Sequence, residues 1–222
     1  SIVALFKKGD LSNPGNYRPI SLLCIGYQVL SGIILDRLKD GGCEERIRHT
    51  QYGLRSNRGT ADALYSARRI SDAANSSSEG SLYFLLLDWS KAFDRVKPDA
   101  MMIALRRFGI PERMLTIIAS IYRQRTFEIK DKLGNSTVHS QNAGIAQGCP
   151  LSPYLFIIAM TVLLHDVDEA MAPVFNRQEL PSFLPVRDLL YADDTLLMNS
   201  SHEVLQEHLN VVIRVGKQFG LE

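Results

Sequence analysis

The stretch Leu189-Leu190-Tyr191-Ala192-Asp193-Asp194-Thr195-Leu196-Leu197-Met198 sets two adjacent carboxylates between two apolar runs, each a strand in length and free of Gly and Pro. Such runs demand burial, and aspartates buried side by side must take a proton, meet a cation or bind a metal. The stretch therefore reads as a strand-turn-strand hairpin with Asp193 and Asp194 at its tip, a natural Mg²⁺ site. An Asp-Asp hairpin turn in water accounts for the same residues, because Asp is also a turn former. What separates the two readings lies far upstream.

Leu82 to Leu87 is a continuous apolar run ended by Asp88, the pattern of a central strand covered on both faces with a carboxylate at its C-terminal end. If that strand neighbours the hairpin in one sheet, Asp88, Asp193 and Asp194 converge at one edge. Such an oxygen-rich set suits two Mg²⁺ ions, one activating an attacking 3′-hydroxyl and the other neutralising a triphosphate. The five histidines are scattered and Cys24, Cys43 and Cys149 form no CxxC pair, so no other metal cluster competes. Neither a P-loop nor a Gly-x-Ser-x-Gly elbow is present.

The 222 residues can bury a sizeable core, in one large domain or two small ones. Unpaired cysteines and the lack of a signal peptide or membrane span predict an intracellular protein, in cytoplasm or nucleus, with no membrane partner. The net charge of +1 hides an asymmetry: residues 1–132 carry +7 and residues 133–222 carry −6. A basic front half suits a polyanion and an acidic back half suits divalent cations, although solvated surface charge explains both.

Pro19 keeps Arg18 extended on a turn-rich loop behind Lys7 and Lys8. Helix-like spacing begins at Ile20 and runs to Leu38, where Gly41-Gly42 ends it; a second helix spans Ala61–Ala73. Pro98 to Gly109 and Glu112 to Tyr122 read as helices. Thr126–Ile129 and Thr137–Ser140 read as a hairpin around Leu133-Gly134-Asn135. A dense loop, Gly144 to Pro153, opens a long apolar helix with Ser152 as its cap and Pro153 at its first position. Ser200 with Glu203 predicts a capping box for the last helix, to Phe219.

Five blocks in order carry a resemblance: Asn16-Tyr17-Arg18-Pro19-Ile20-Ser21-Leu22, Gln51-Tyr52-Gly53-Leu54-Arg55, Leu87-Asp88-Trp89-Ser90-Lys91-Ala92-Phe93-Asp94, Gln147-Gly148-Cys149-Pro150-Leu151-Ser152-Pro153 and Tyr191-Ala192-Asp193-Asp194. Together they resemble the reverse transcriptase family, and most the enzymes of non-LTR (LINE-type) retrotransposons. The resemblance implies an α+β fold, a right-hand polymerase of fingers and palm with an antiparallel palm sheet flanked by helices and no thumb. Alternating strands and helices also allow a parallel α/β sheet. It implies fingers at residues 1–80, palm at 81–110 and 144–222, and a fingers-like insertion at 111–143.

By the same resemblance Asp88, Asp193 and Asp194 are catalytic and bind two Mg²⁺ ions, with Mn²⁺ an alternative. Phe93 is a gate against the 2′-hydroxyl of a ribonucleotide. Gln147 lies against the incoming nucleotide, Lys8 (or Lys7) and Arg18 grip its triphosphate, and Tyr191 and Ala192 lie near the primer end. The implied partners are an RNA template, a DNA primer, dNTPs and the remaining polyprotein domains, thumb and endonuclease. Two other readings stay open: a group II intron-encoded reverse transcriptase/maturase, and a relic that binds RNA without catalysis.

Overall fold

The computed structural model describes residues 1–131 and 134–222. Strands β1 (Ile2–Phe6) and β2 (Tyr17–Ser21) form an antiparallel hairpin, paired from Ile2↔Ser21 to Phe6↔Tyr17. The helical run expected from Ile20 starts later, as α1 (Ile25–Leu38), because Pro19 and its neighbours are committed to β2. Gly41-Gly42 ends the run as expected: Gly42 takes a left-handed φ of 76°, which kinks the chain between α1 and the short α2 (Glu44–Arg46). Next come α3 (Thr60–Asn75), β3 (Tyr83–Leu87), α4 (Ala92–Arg95), α5 (Pro98–Phe108) and α6 (Glu112–Tyr122). Pro98 opens α5 and Gly109 closes it, as the sequence predicts.

The hairpin expected beyond α6 forms from shorter strands. β4 (Thr126–Phe127) pairs with His139–Ser140, and within it β5 (Lys130–Asp131) pairs with β6 (Gly134–Asn135). Leu133, expected in its turn, lies outside the described residues. With His139–Ser140 as β7, the chain ends with α7 (Leu151–Phe175), β8 (Asp188–Tyr191), β9 (Asp194–Asn199) and α8 (His202–Phe219). Helix α7 is capped by Pro150, so Ser152 and Pro153 fall in its first turn, where a residue without an N–H costs no intrahelical bond. The cap of α8 is Ser201, one residue later than expected; its Oγ accepts the Val204 N–H at 3.3 Å.

The central sheet has the order β3-β9-β8 and is antiparallel throughout, which settles the fold as α+β. Its inner face carries Leu190 and Leu197 onto α7 and α8, where Phe156, Leu163 and Val212 are fully or almost fully buried. Helix α7 is buried nearly all round and forms the spine of this core. On the other face Leu189 and Met198 pack against Ile70 of α3, with Phe183 and Leu184.

β3 is an edge strand, not the central one expected from its apolar run. Phe84 and Leu86, on the same face as Met198, are 43% and 79% exposed. A continuous apolar run does not reveal whether both faces are covered, and α3 reaches the β8 side of this face.

The charge asymmetry is partly internal. Arg48 bonds Asp188 and, at 2.6 Å, Asp168; Arg107 bonds Asp166, and Arg95 bonds Glu222. Among the described residues no helix is long and apolar enough to cross a membrane.

Candidate active site

Leu87 pairs with Thr195, and Tyr191 pairs with Asp194, so the end of β3 and the β8–β9 turn share one end of the sheet. Asp88 leaves β3 by one residue. Asp193 is the second of two loop residues, after Ala192, and Asp194 already begins β9. Asp88 and Asp193 line one cleft of about 1120 Å³. Lys7, Arg18, Phe93 and Gln147 line it too, which brings six expected residues to one place. Lys8, Tyr191, Ala192 and Asp194 are not among the residues that line it.

Each wall has a local cause. The buried indole of Trp89 donates to Thr195 Oγ1 at 3.2 Å and lies against Gly216 of α8, which fixes the chain next to Asp88. Lys91 takes a left-handed φ of 52° before the single turn of α4. That turn presents Phe93, whose ring stacks on the fully buried Phe156. Gln147 Nε2 donates to Asp94 Oδ1 at 2.9 Å, which sets the orientation of its amide. The hairpin bearing Arg18 is docked by the Ser21 N–H, which donates to the Gln147 carbonyl at 2.9 Å. Gly148 permits this: its φ is 109°, and a Cβ there would lie 2.9 Å from the Ser21 carbonyl oxygen.

The carboxyl of Asp193 is held above the ordinary aspartate range, first by burial and then by the like charges of Asp194 and Asp88. A divalent cation relieves that repulsion. Mg²⁺ is commonly held by one or two carboxylates plus substrate phosphates and water, so Asp88 and Asp193 fit it. Among the described residues no three His, Cys, Asp or Glu side chains are grouped to hold a metal by themselves. Successive side chains on a strand point to opposite faces, and Asp194 is exposed at the start of β9.

Two residues to which the sequence reading gave no role support the site. Trp89 is one; the signal was the chain's single Trp next to an aspartate. The other is Gln51, fully buried beneath the β8–β9 turn. Its Oε1 accepts the N–H of Ala192 at 2.9 Å and of Gly53 at 2.8 Å, and its Nε2 donates to the Ala192 carbonyl at 3.3 Å. Its only signal was membership of a motif block.

The family model described as reverse transcriptase (RNA-dependent DNA polymerase) matches residues 6–222. The chain belongs to the reverse transcriptase family. It is 25% identical over 223 residues to the Retrovirus-related Pol polyprotein from type-1 retrotransposable element R2 of Nasonia vitripennis, covering 99% of this chain and 20% of that protein. It is 26% identical over 219 residues to the RNA-directed DNA polymerase from mobile element jockey of Drosophila melanogaster, covering 92% and 21%. The chain thus spans about a fifth of these relatives, and their retrotransposon origin bears out the non-LTR resemblance.

Among solved structures, telomerase from Candida albicans in complex with a telomeric RNA fragment matches with a TM-score of 0.58 at 14% identity, over 87% of this chain and 33% of that one. An RNA-dependent RNA polymerase of a human picobirnavirus matches with a TM-score of 0.56 at 12% identity, over 100% and 40%. These likenesses show the fold of a right-hand polymerase.

Proposed function

We propose that this chain is the fingers and palm of an RNA-directed DNA polymerase encoded by a non-LTR retrotransposon, adding dNTPs to a DNA primer on an RNA template. The observation that carries the reading is one cleft in which Asp88 and Asp193 face Arg18, Phe93 and Gln147. Fingers comprise residues 1–80, palm residues 81–110 and 144–222, and a fingers-like insertion residues 111–143. Thumb and endonuclease belong to the remaining polyprotein.

Asp88 and Asp193 would hold the two metal ions, with Asp194 the third acid. When bound, Mg²⁺, or Mn²⁺ in its place, would supply Lewis-acid activation of the primer 3′-hydroxyl and charge neutralisation of the triphosphate. Arg18 and Lys7 grip the phosphates by charge-assisted hydrogen bonds; Lys8, off the cleft, is the weaker candidate. Phe93 sits where a ribose 2′-hydroxyl would meet its ring. Gln147, its Nε2 engaged by Asp94, offers the nucleotide its Oε1. Tyr191 and Ala192 approach the primer end from the hairpin.

The test is Mg²⁺-dependent extension of a DNA primer on an RNA template, by the longest open reading frame containing this segment. An Asp193→Ala/Asp194→Ala double variant is the control. The expected result is incorporation of dNTPs over rNTPs, abolished in the control. No incorporation by a folded protein that includes the thumb overturns the reading.

A further inference from the structure

Ala192 occupies a position that alanine tolerates poorly. Its φ is 58°, in the left-handed region, at the first residue of a two-residue hairpin loop. Positive φ there belongs to the primed turns that such hairpins favour, normally supplied by Gly, Asn or Asp. A non-Gly residue in that region persists where its surroundings over-determine it. The next residue is Asp193, so whatever holds Ala192 sets the direction of the acid.

What surrounds Ala192 is the segment from Arg48 to Gly53. Its main chain runs parallel to β8: Leu190 N–H donates to the Thr50 carbonyl at 2.9 Å, and Tyr52 N–H to the Leu190 carbonyl at 2.8 Å. At one end of β8, Arg48 and Thr50 bond the buried Asp188. At the other end, where main-chain pairing stops, the Gln51 side chain takes over and satisfies both the N–H and the carbonyl of Ala192. Three of the amide's four hydrogen-bonding positions are used: two N–H groups share Oε1, and one N–H of Nε2 serves the carbonyl. Gly53 closes the seat, because a Cβ there would lie 2.2 Å from the Ala192 nitrogen.

We infer that Gln51 is the positioning residue of the catalytic turn, its carboxamide holding the left-handed Ala192 so that Asp193 is aimed into the cleft beside Asp88. The inference rests on the polymerase reading for the role of Asp193. Gln51 is not among the residues that line the cleft; it acts through the main chain of Ala192. Glutamine suits the task because one side chain carries both the acceptor and the donor that a buried peptide unit needs.

The test uses the same long reading frame and three variants. Gln51→Met keeps approximate volume and removes both hydrogen bonds, Gln51→Glu keeps the acceptor alone, and Gln51→Met/Ala192→Gly removes the strain that the amide offsets. Hydrogen exchange of peptides spanning the β8–β9 turn, Mn²⁺ binding by electron paramagnetic resonance, and kcat and KM for dNTP are measured on each. In Gln51→Met the turn amides should exchange at least about tenfold faster while α8 keeps its protection. Mn²⁺ should bind about 10–100-fold more weakly, the loss typical of removing a group that orients a metal ligand. kcat should fall by a similar factor, with KM for dNTP nearly unchanged.

Glycine at position 192 should restore much of the lost kcat in the double variant, which a purely structural packing defect would not allow. Gln51→Glu should fall between wild type and Gln51→Met in turn exchange, and it decides the matter should Gln51→Met not fold. Wild-type turn protection and Mn²⁺ affinity in the variants overturn the inference, as does a kcat loss that glycine leaves untouched. Absence of incorporation by the wild-type protein overturns the polymerase reading instead, and the exchange and Mn²⁺ arms then still decide the role of Gln51.

Discussion

The ring of Phe93 lies flat on Phe156, with centroids 4.7 Å apart and planes inclined by 20°. Phe156 is fully buried in α7, so the rigid core of the protein sets the tilt of a ring that lines the cleft.

This pairing predicts that sugar selectivity has two layers. Phe93→Ala should raise kcat/KM for rNTPs relative to dNTPs by about 10–100-fold, since about 1.4–2.7 kcal/mol of steric exclusion corresponds to that factor. Phe156→Leu should give a smaller relaxation, because the gate loses its platform and not its bulk. Single-nucleotide incorporation kinetics with matched dNTP and rNTP pairs would measure both.

Asp193 is held against its own interest, half-buried beside Asp88 and Asp194. Asp193→Asn should therefore abolish incorporation yet raise the melting temperature in the absence of divalent cations, by about 2–4 °C for each kcal/mol of repulsion removed. Mg²⁺ should stabilise the wild type and not the variant. Thermal melts with and without Mg²⁺ check the opposed signs.

His208 is 1% exposed, its Nδ1 has no hydrogen-bond partner among the described residues, and burial lowers its pKa from 6.5 to about 4. The nearby Asp188 and Asp168 oppose that shift, while Arg48 and Arg187 add to it. Below pH 6.5 the unfolded chain binds the proton and the folded chain does not, so stability falls as pH drops from 6.5 towards about 4. The full loss is about 3–4 kcal/mol. Denaturant unfolding of wild type and His208→Phe across that range should show a shallower slope in the variant.

Lys7 lines the cleft and Lys8 does not, although they are adjacent in the chain. Lys7→Ala and Arg18→Ala should each raise KM for dNTP by about tenfold, as loss of a charge-assisted phosphate contact does, whereas Lys8→Ala should stay within about twofold. Steady-state dNTP titrations on a saturated primer-template separate the three. A larger effect at Lys8 would reverse the assignment.

Much of the cleft was legible because its chemistry is local in sequence. An apolar run ending in Asp88, an Asp-Asp pair between strand-like runs, and a Gly-Gln-Pro loop opening a helix each announce themselves within ten residues. The edge position of β3 was not legible, since apolarity records what packs on a strand without saying what does not. The cap at Ser201 was displaced by one residue because two serines offered the same hydroxyl and only backbone geometry chose between them. Gln51 was invisible for a deeper reason: its partner is a peptide unit 141 positions away, and main-chain atoms leave no mark in a residue alphabet.

The distance between Gln51 and Ala192 also has a meaning in time. At about 5–20 residues per second of synthesis, the ribosome makes the seat roughly seven to thirty seconds before the turn that will occupy it. Asp88 waits similarly, since the indole beside it bonds a threonine 106 positions later. The acid pair thus comes into being in one late step, when β8 and β9 emerge and close on parts already waiting. A nascent chain interrupted before that step carries Arg18, Phe93 and Gln147 but not the assembled acid pair.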